Sequence, residues 1–226
     1  DLLGTSNIQL TSTIEELYSK CEIIFVAVQT PHDPLYEGRT PTPDERKDFD
    51  YSFLKSAISE LAHASSKHDN NPLIVVISTV LPGTMRTHVL PILSNSNSQC
   101  RFAYNPYFIA MGTTIYDFMN PEFILIGLND SSEQDFLANF YSFVHAPIEF
   151  QKIESAELTK VAYNTFIGFK IVFSNALAEI TDKVGGDVDE VTNALSKANR
   201  RIMSSAYMRA GMGDGGGCHP RDQIAM

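Results

Sequence analysis

An α/β fold is predicted here: a doubly wound, Rossmann-like sheet followed by an all-α portion built on one long helix. Three observations predict it. Short apolar runs recur through the first two-thirds of the chain, at 21–28 (CEIIFVAV), 73–79 (LIVVIST) and 123–127 (FILIG), with a weaker one at 101–104 (RFAY). Segments with helical spacing lie beside or between them, which implies βαβ units. After Ser155 the strand-like runs stop, and a long stretch without proline takes over.

In chain order, residues 13–20 (TIEELYSK) read as a helix leading into the first strand. Runs apolar on both faces suit parallel strands covered by helices on each side. Between the first two runs, Phe53, Leu54, Ala57, Ile58 and Leu61 of 50–65 repeat at helical spacing. The segment from Pro31 to Asp48 carries three further prolines and many charges, so it reads as an exposed loop. It follows the C-terminal end of a strand, where open α/β sheets place their ligands. Residues 155–184 read as a single helix ending at Gly185 and Gly186. Between Val161 and Ala178 its only charge is Lys170, so it is expected to be buried by another domain or a second subunit. Asp187 and Glu190 have capping-box spacing before another helix. The expected domains are 1–150, which carries the sheet, and 151–226, which is helical.

Composition narrows the function. The chain has 226 residues, of which 43% are apolar and 19% charged, enough for a real core. Asp plus Glu number 27 against 17 Lys plus Arg, a net charge of −10. An acidic surface repels nucleic acid and anionic membranes, leaving small phosphorylated ligands bound by a local basic cluster. No run approaches the ~18 apolar residues of a membrane span. The N-terminus DLLGTSNIQL has neither the pattern of a secretory signal nor an initiator Met, so the natural chain is expected to begin earlier. Cys21, Cys100 and Cys218 form no CxxC pair, which points to a reducing compartment, the cytoplasm, with Cys21 and Cys100 as structural thiols.

Three places carry chemistry. Lys160 and Asn164, four residues apart, share a helical face with mostly apolar neighbours. A lysine held there can direct its charge at a substrate oxygen; the plainer reading is a lysine reaching out to solvent. Ser78 and Thr79 in STVLPGT, and Thr30 in VQTP, place hydroxyls at strand ends. The third is GDGGGCHPRD, 213–222. Its glycines let backbone approach a ligand closely. Arg221 favours a Cys218 thiolate, and Asp222 can position water or accept a proton. Zinc would need more ligands than His219, and redox pairing a second cysteine. A nucleophile remains, against a structural or tail cysteine.

Several segments taken together resemble the UDP-glucose/GDP-mannose dehydrogenase family, whose members oxidise nucleotide-sugar alcohols to uronic acids with two NAD molecules. They are FVAVQTP, STVLPGT, YNPYFIAMGTTIYDFMNPEFILIG, SAELTKVAYNTFIGFKIVFSNALAEITDKVGGDVDEV and GMGDGGGCHPRD, in the family's order and spacing. The resemblance implies that Cys218 is the nucleophile, passing through a thiohemiacetal and a thioester. It implies that Lys160 and Asn164 stabilise the oxyanion and hold the sugar, and that Asp222 and Thr79 position water or move protons. Thr30, Ser78, Thr79 and Arg221 would contact NAD. Phe108, Ile109, Lys160, Asn164, Tyr207, Arg209 and Gly215 would contact the nucleotide-sugar. No metal is implied, and a homodimer through 155–184 is.

Two departures stand out. Tyr107 and Met111 occupy positions where the family has glutamates, the first associated with thioester hydrolysis, so slow or differently assisted release of the thioester is expected. No G-x-G-x-x-G precedes Thr30 and the chain stops just past Asp222. The first Gly-rich unit and the C-terminal nucleotide-binding domain are therefore expected to lie outside it, and the chain alone is expected to be inactive. UDP-glucose is the favoured substrate. The alternatives are GDP-mannose, a UDP-N-acetylhexosamine, or a non-catalytic relative serving as an assembly module. A thiol redox protein would need a resolving cysteine.

Overall fold

The apolar runs become strands of one five-stranded sheet in a computed structural model that describes residues 8–36, 41, 43–95, 100–211, 221 and 225. The strands are β1 (Ile23–Val26), β2 (Leu73–Val76), β3 (Arg101–Tyr104), β4 (Ile124–Leu128) and β5 (Ile148–Lys152), side by side in chain order. β1, β2 and β3 are parallel, with Ile24 opposite Ile74 and Ile74 opposite Phe102. β2 is buried along its whole length, as continuous apolar strands require.

One step departs from the expected parallel sheet. β4 runs antiparallel to β3, joined at the single pair Tyr104–Gly127, before β5 again runs parallel to β4. The cause lies in the connection. Helix α4 (Thr114–Met119) buries no residue, so it is not a crossover covering the sheet. The chain turns back at the edge where β3 ends, and neighbours joined at one edge run antiparallel.

That reversal decides which face each helix covers. Helices α1 (Ile14–Lys20), α2 (Ser52–Ser65) and α3 (Leu90–Ser94) contribute Tyr18, Leu54, Ile58 and Leu93 to the core on one face, over Ile24, Ile74 and Tyr104. Helix α5 (Gln134–Phe140) contributes Leu137 to the other face, over Val75 and Ile126. A right-handed crossover on reversed strands lands on the opposite face. Both faces are thus covered, through a change of strand direction.

Before α3, Met85–Val89 form a π-helical turn in which the Leu90 N–H reaches the Met85 carbonyl. Pro91 lies at the start of α3, and its missing N–H and bulky ring disfavour ordinary helical spacing there. The long helix is α6 (Ile153–Val184). Gly185, at φ 76°, ends it, and the Gly186 N–H donates to the Thr181 carbonyl at 2.9 Å, a Schellman closure that needs the left-handed region glycine tolerates. Asp187 then caps α7 (Val188–Ser196), accepting from the Asp189 and Glu190 N–H groups.

The chain forms two compact units, 1–164 and 165–226. The first holds the sheet and the start of α6. The second holds the rest of α6, α7 and a series of turns to Gly211. Among the described residues no helix is long and apolar enough to cross a membrane.

Candidate active site

The strand-end hydroxyls converge because β1 and β2 are parallel and end together. The Ser78 hydroxyl donates to the Val28 carbonyl at 2.5 Å, and the Val28 N–H donates back to it at 3.2 Å. Thr30 Oγ1 donates to the Thr79 carbonyl at 2.7 Å. Two of the three predicted hydroxyls are therefore spent on stitching the strand ends together. The half-buried Thr79 hydroxyl has no partner among the described residues, so of the three it is the one available to a ligand.

The turn after Thr79 is held from two sides. Tyr51 OH donates to Asp48 Oδ1 at 2.6 Å while lying 3.1 Å from Thr84 Oγ1 and 3.2 Å from the Leu81 N–H that donates to it. From α6, Glu157 accepts the Gly83 N–H at 2.6 Å and the Met85 N–H at 2.7 Å, one on each carboxylate oxygen. Burial pushes the Glu157 carboxyl above its ordinary value, while the two backbone N–H groups pull it down. Composition and motifs did not single out this residue. The available signal was its place one helical turn before Lys160.

Lys160 is buried, not reaching to solvent. Its ammonium donates to the Tyr107 carbonyl at 2.8 Å and lies 4.6 Å from the centre of the Phe108 ring. Burial pushes its pKa down from the usual lysine value, because a desolvated ammonium favours its neutral form. Phe108 packs against Phe123 and Tyr163. Ile109 is exposed nearby in the chain, and Asn164 is exposed one turn beyond Lys160 on α6.

Tyr107 faces two ways. Its carbonyl serves Lys160, while its hydroxyl lies 3.1 Å from the Tyr141 hydroxyl. Tyr141 in turn donates a short hydrogen bond to Asn105 Oδ1, and Asn105 Nδ2 donates to the Leu125 carbonyl at 2.8 Å. Burial pushes both phenols upward. A half-buried, bonded, neutral phenol is a poor stand-in for a carboxylate base. Met111 is fully exposed and contributes no base either. Asn105 was not foreseen as a bridge; its signal is a polar residue directly after an apolar strand.

In the second unit, Tyr207 and Arg209 are exposed, and Tyr207 adopts φ 66°, which bulky side chains rarely do. Gly215, Cys218 and Asp222 lie outside the described residues; Arg221 lies inside them. No cluster of His, Cys, Asp or Glu suited to a metal occurs among the described residues.

Comparison with known proteins places both parts of the chain. Residues 2–145 match the NAD binding domain of the UDP-glucose/GDP-mannose dehydrogenase family, and residues 154–226 match its central domain. A UDP-glucose 6-dehydrogenase of Rickettsia bellii is 28% identical over 99% of this chain and 48% of its own length. A GDP-mannose 6-dehydrogenase of Pseudomonas putida is 33% identical over 82% of this chain and 44% of its own. The chain thus spans about half the length of the curated relatives it matches. Among solved structures, a ternary complex of GDP-mannose dehydrogenase from Pseudomonas aeruginosa superposes with a TM-score of 0.85 at 28% identity, covering 95% of this chain and 48% of that one. A UDP-glucose dehydrogenase from Pyrobaculum islandicum gives 0.76 at 30% identity, covering 99% and 49%. Two consecutive domain matches, over residues 2–145 and 154–226, establish that this chain belongs to the UDP-glucose/GDP-mannose dehydrogenase family.

Proposed function

We propose that the protein to which this chain belongs is an NAD-dependent nucleotide-sugar 6-dehydrogenase. On this reading it converts the sugar's primary alcohol to a carboxylate, with UDP-glucose as the favoured substrate. The observation carrying it is the buried ammonium of Lys160, which donates to the Tyr107 carbonyl from the same helix whose Glu157 holds the turn after Thr79. A positive group kept out of water costs stability, and such a group is suited to stabilising negative charge that develops in a reaction.

The sheet fits the cofactor. Parallel β1 and β2 end at a common carboxyl edge where Thr79 keeps an unspent hydroxyl, the usual place for a dinucleotide in an open sheet. Thr30, Ser78 and Thr79 would hold NAD there, and Arg221, by the family resemblance, is a further NAD contact. When bound, NAD supplies the hydride acceptor for both oxidations.

The chain's own groups do the rest. Cys218 forms a carbon–sulfur bond to the aldehyde carbon, giving a thiohemiacetal and, after oxidation, a thioester. Lys160 places its positive charge on the sugar oxygen as negative charge develops, and Asn164 holds the sugar. Water cleaves the carbon–sulfur bond to release the acid and restore the thiol, with Asp222 or Thr79 positioning it. Because Tyr107 spends its hydroxyl on Tyr141, thioester release is slower than where a carboxylate base is present. Phe108, Ile109, Tyr207, Arg209 and Gly215 contact the nucleotide-sugar. The active form is a cytoplasmic homodimer through 155–184.

The test is NADH absorbance with the product of the full reading frame, offered UDP-glucose, GDP-mannose and UDP-N-acetylhexosamines, alongside intact-mass analysis. Turnover of UDP-glucose, its loss in Cys218→Ser and a trapped covalent adduct in the wild type are expected. Preference for GDP-mannose would move the substrate assignment. Unchanged turnover in Cys218→Ser would sink the covalent route, and full turnover without an adduct would sink slow release.

A further inference from the structure

Resting on the dehydrogenase reading above, we propose that Glu157 is a positioning residue that locks the Thr79-bearing turn to the helix carrying Lys160, so that the two groups move as one body. Glu157 is completely buried, and a buried carboxylate is stabilised only when its oxygens are well bonded. Both oxygens are committed, to the Gly83 and Met85 N–H groups, across 74 and 72 residues of sequence. Glu157 and Lys160 lie three residues apart, on one face of α6. The turn it grips runs from Thr79, whose carbonyl holds Thr30, to Met85, with Gly83 at φ 92°.

The remaining ties of this turn lead elsewhere. Leu81 and Thr84 both donate to the hydroxyl of Tyr51, the residue that precedes α2. Among the described residues, the other polar link between this turn's helix and α6 is the exposed pair Arg86–Glu154 at 3.0 Å, and such pairs contribute little. If a staple were all the fold needed here, apolar packing would serve at lower cost. A carboxylate gripping two amides fixes position and angle as apolar packing does not.

The charged groups around Glu157 are few. Glu154 on its own helix opposes ionisation and Arg86 favours it; the Tyr104 hydroxyl approaches from β3, and Lys160 lies one turn on. Protonation removes the charge that both amides bond, so the grip loosens as pH falls through the carboxyl's raised titration range.

The experiment uses the product of the full reading frame, wild type and E157Q, with kcat and KM for NAD and nucleotide-sugar, a pH profile and the melting temperature. Glutamine keeps the shape but presents an NH2 to one of the two amides. The expected result is a fall in kcat/KM of about 100-fold, the scale of a small misplacement of reacting groups, and loss of the wild type's acid limb. Wild-type kcat/KM with an unshifted acid limb and only a lower melting temperature would overturn the proposal, leaving Glu157 a staple of the fold. If E157Q does not fold, E157D keeps the charge but is one methylene short. A lowered kcat/KM then supports the proposal and a wild-type value overturns it. Absence of turnover in the wild type, with every nucleotide-sugar, overturns the dehydrogenase reading itself and the positioning role with it.

Discussion

Lys160 donates to a neutral carbonyl and lies over an aromatic face, with no carboxylate paired to it among the described residues. Its folded pKa is therefore depressed below 10.5 by burial. Between that depressed value and 10.5 the unfolded chain holds a proton that the native chain does not, so stability rises with pH across this window. Below the window the full cost of a buried charge is present. The melting temperature of the wild type relative to Lys160→Met is accordingly expected to climb as pH approaches 10.5. A flat difference would show that the ammonium is solvated. On the proposed function, the same change in the full-length protein is expected to lower kcat by about 100- to 1000-fold, the usual cost of one oxyanion-stabilising donor.

Tyr107 belongs to the same scale. The sequence marks the position as unusual, yet only the structure shows where its hydroxyl goes. Tyr141 stands 34 residues away, and nothing in the local pattern pairs the two. Glu157 was passed over for the same reason, since its partners lie on another element.

At the scale of elements, the crossing of α6 over the sheet depends on Gly127 in β4. A side-chain carbon there would lie 2.9 Å from Ala156 Cβ and 3.0 Å from the Ile153 backbone. Backbone cannot yield as a flexible side chain does, so Gly127→Ala is expected to destabilise the first unit by about 1–3 kcal/mol. Urea unfolding with an unchanged midpoint would show that α6 has room to shift. β4, β2 and the helices at 52–65 and 153–184 were legible because their apolar periodicity is long or continuous. β5 was missed: Ile148–Lys152 alternates polar and apolar residues and is nowhere fully buried, so it has no continuous run. Arg101 also ties β3 to α5 through both oxygens of Glu133, a pairing that spans 32 residues and leaves no local mark.

At the scale of the whole molecule, α6 beyond Val161 leaves Phe166, Phe169, Ile171, Val172 and Phe173 exposed. An apolar surface of this kind marks an association site, in keeping with the proposed homodimer. Phe169→Glu together with Val172→Glu is expected to shift the full-length protein from dimer to monomer in analytical ultracentrifugation at micromolar concentration. A dimer that survives both charges would place the interface elsewhere.

By itself the sequence determined the α/β class, four of the five strands, the long helix with its glycine stop, the Asp187 cap, and the spacing of Lys160 and Asn164 on one face. All of these are local, written in periods of two or 3.6 residues and in the conformational needs of glycine. Tertiary structure alone decided the reversal between β3 and β4, the burial of Lys160, the turning of Tyr107 away from the role of a base, and the grip of Glu157 on the Gly83 turn. Each depends on which distant backbone group occupies the far side of a contact. A hydrogen bond across 70 residues leaves no period for a sequence to display.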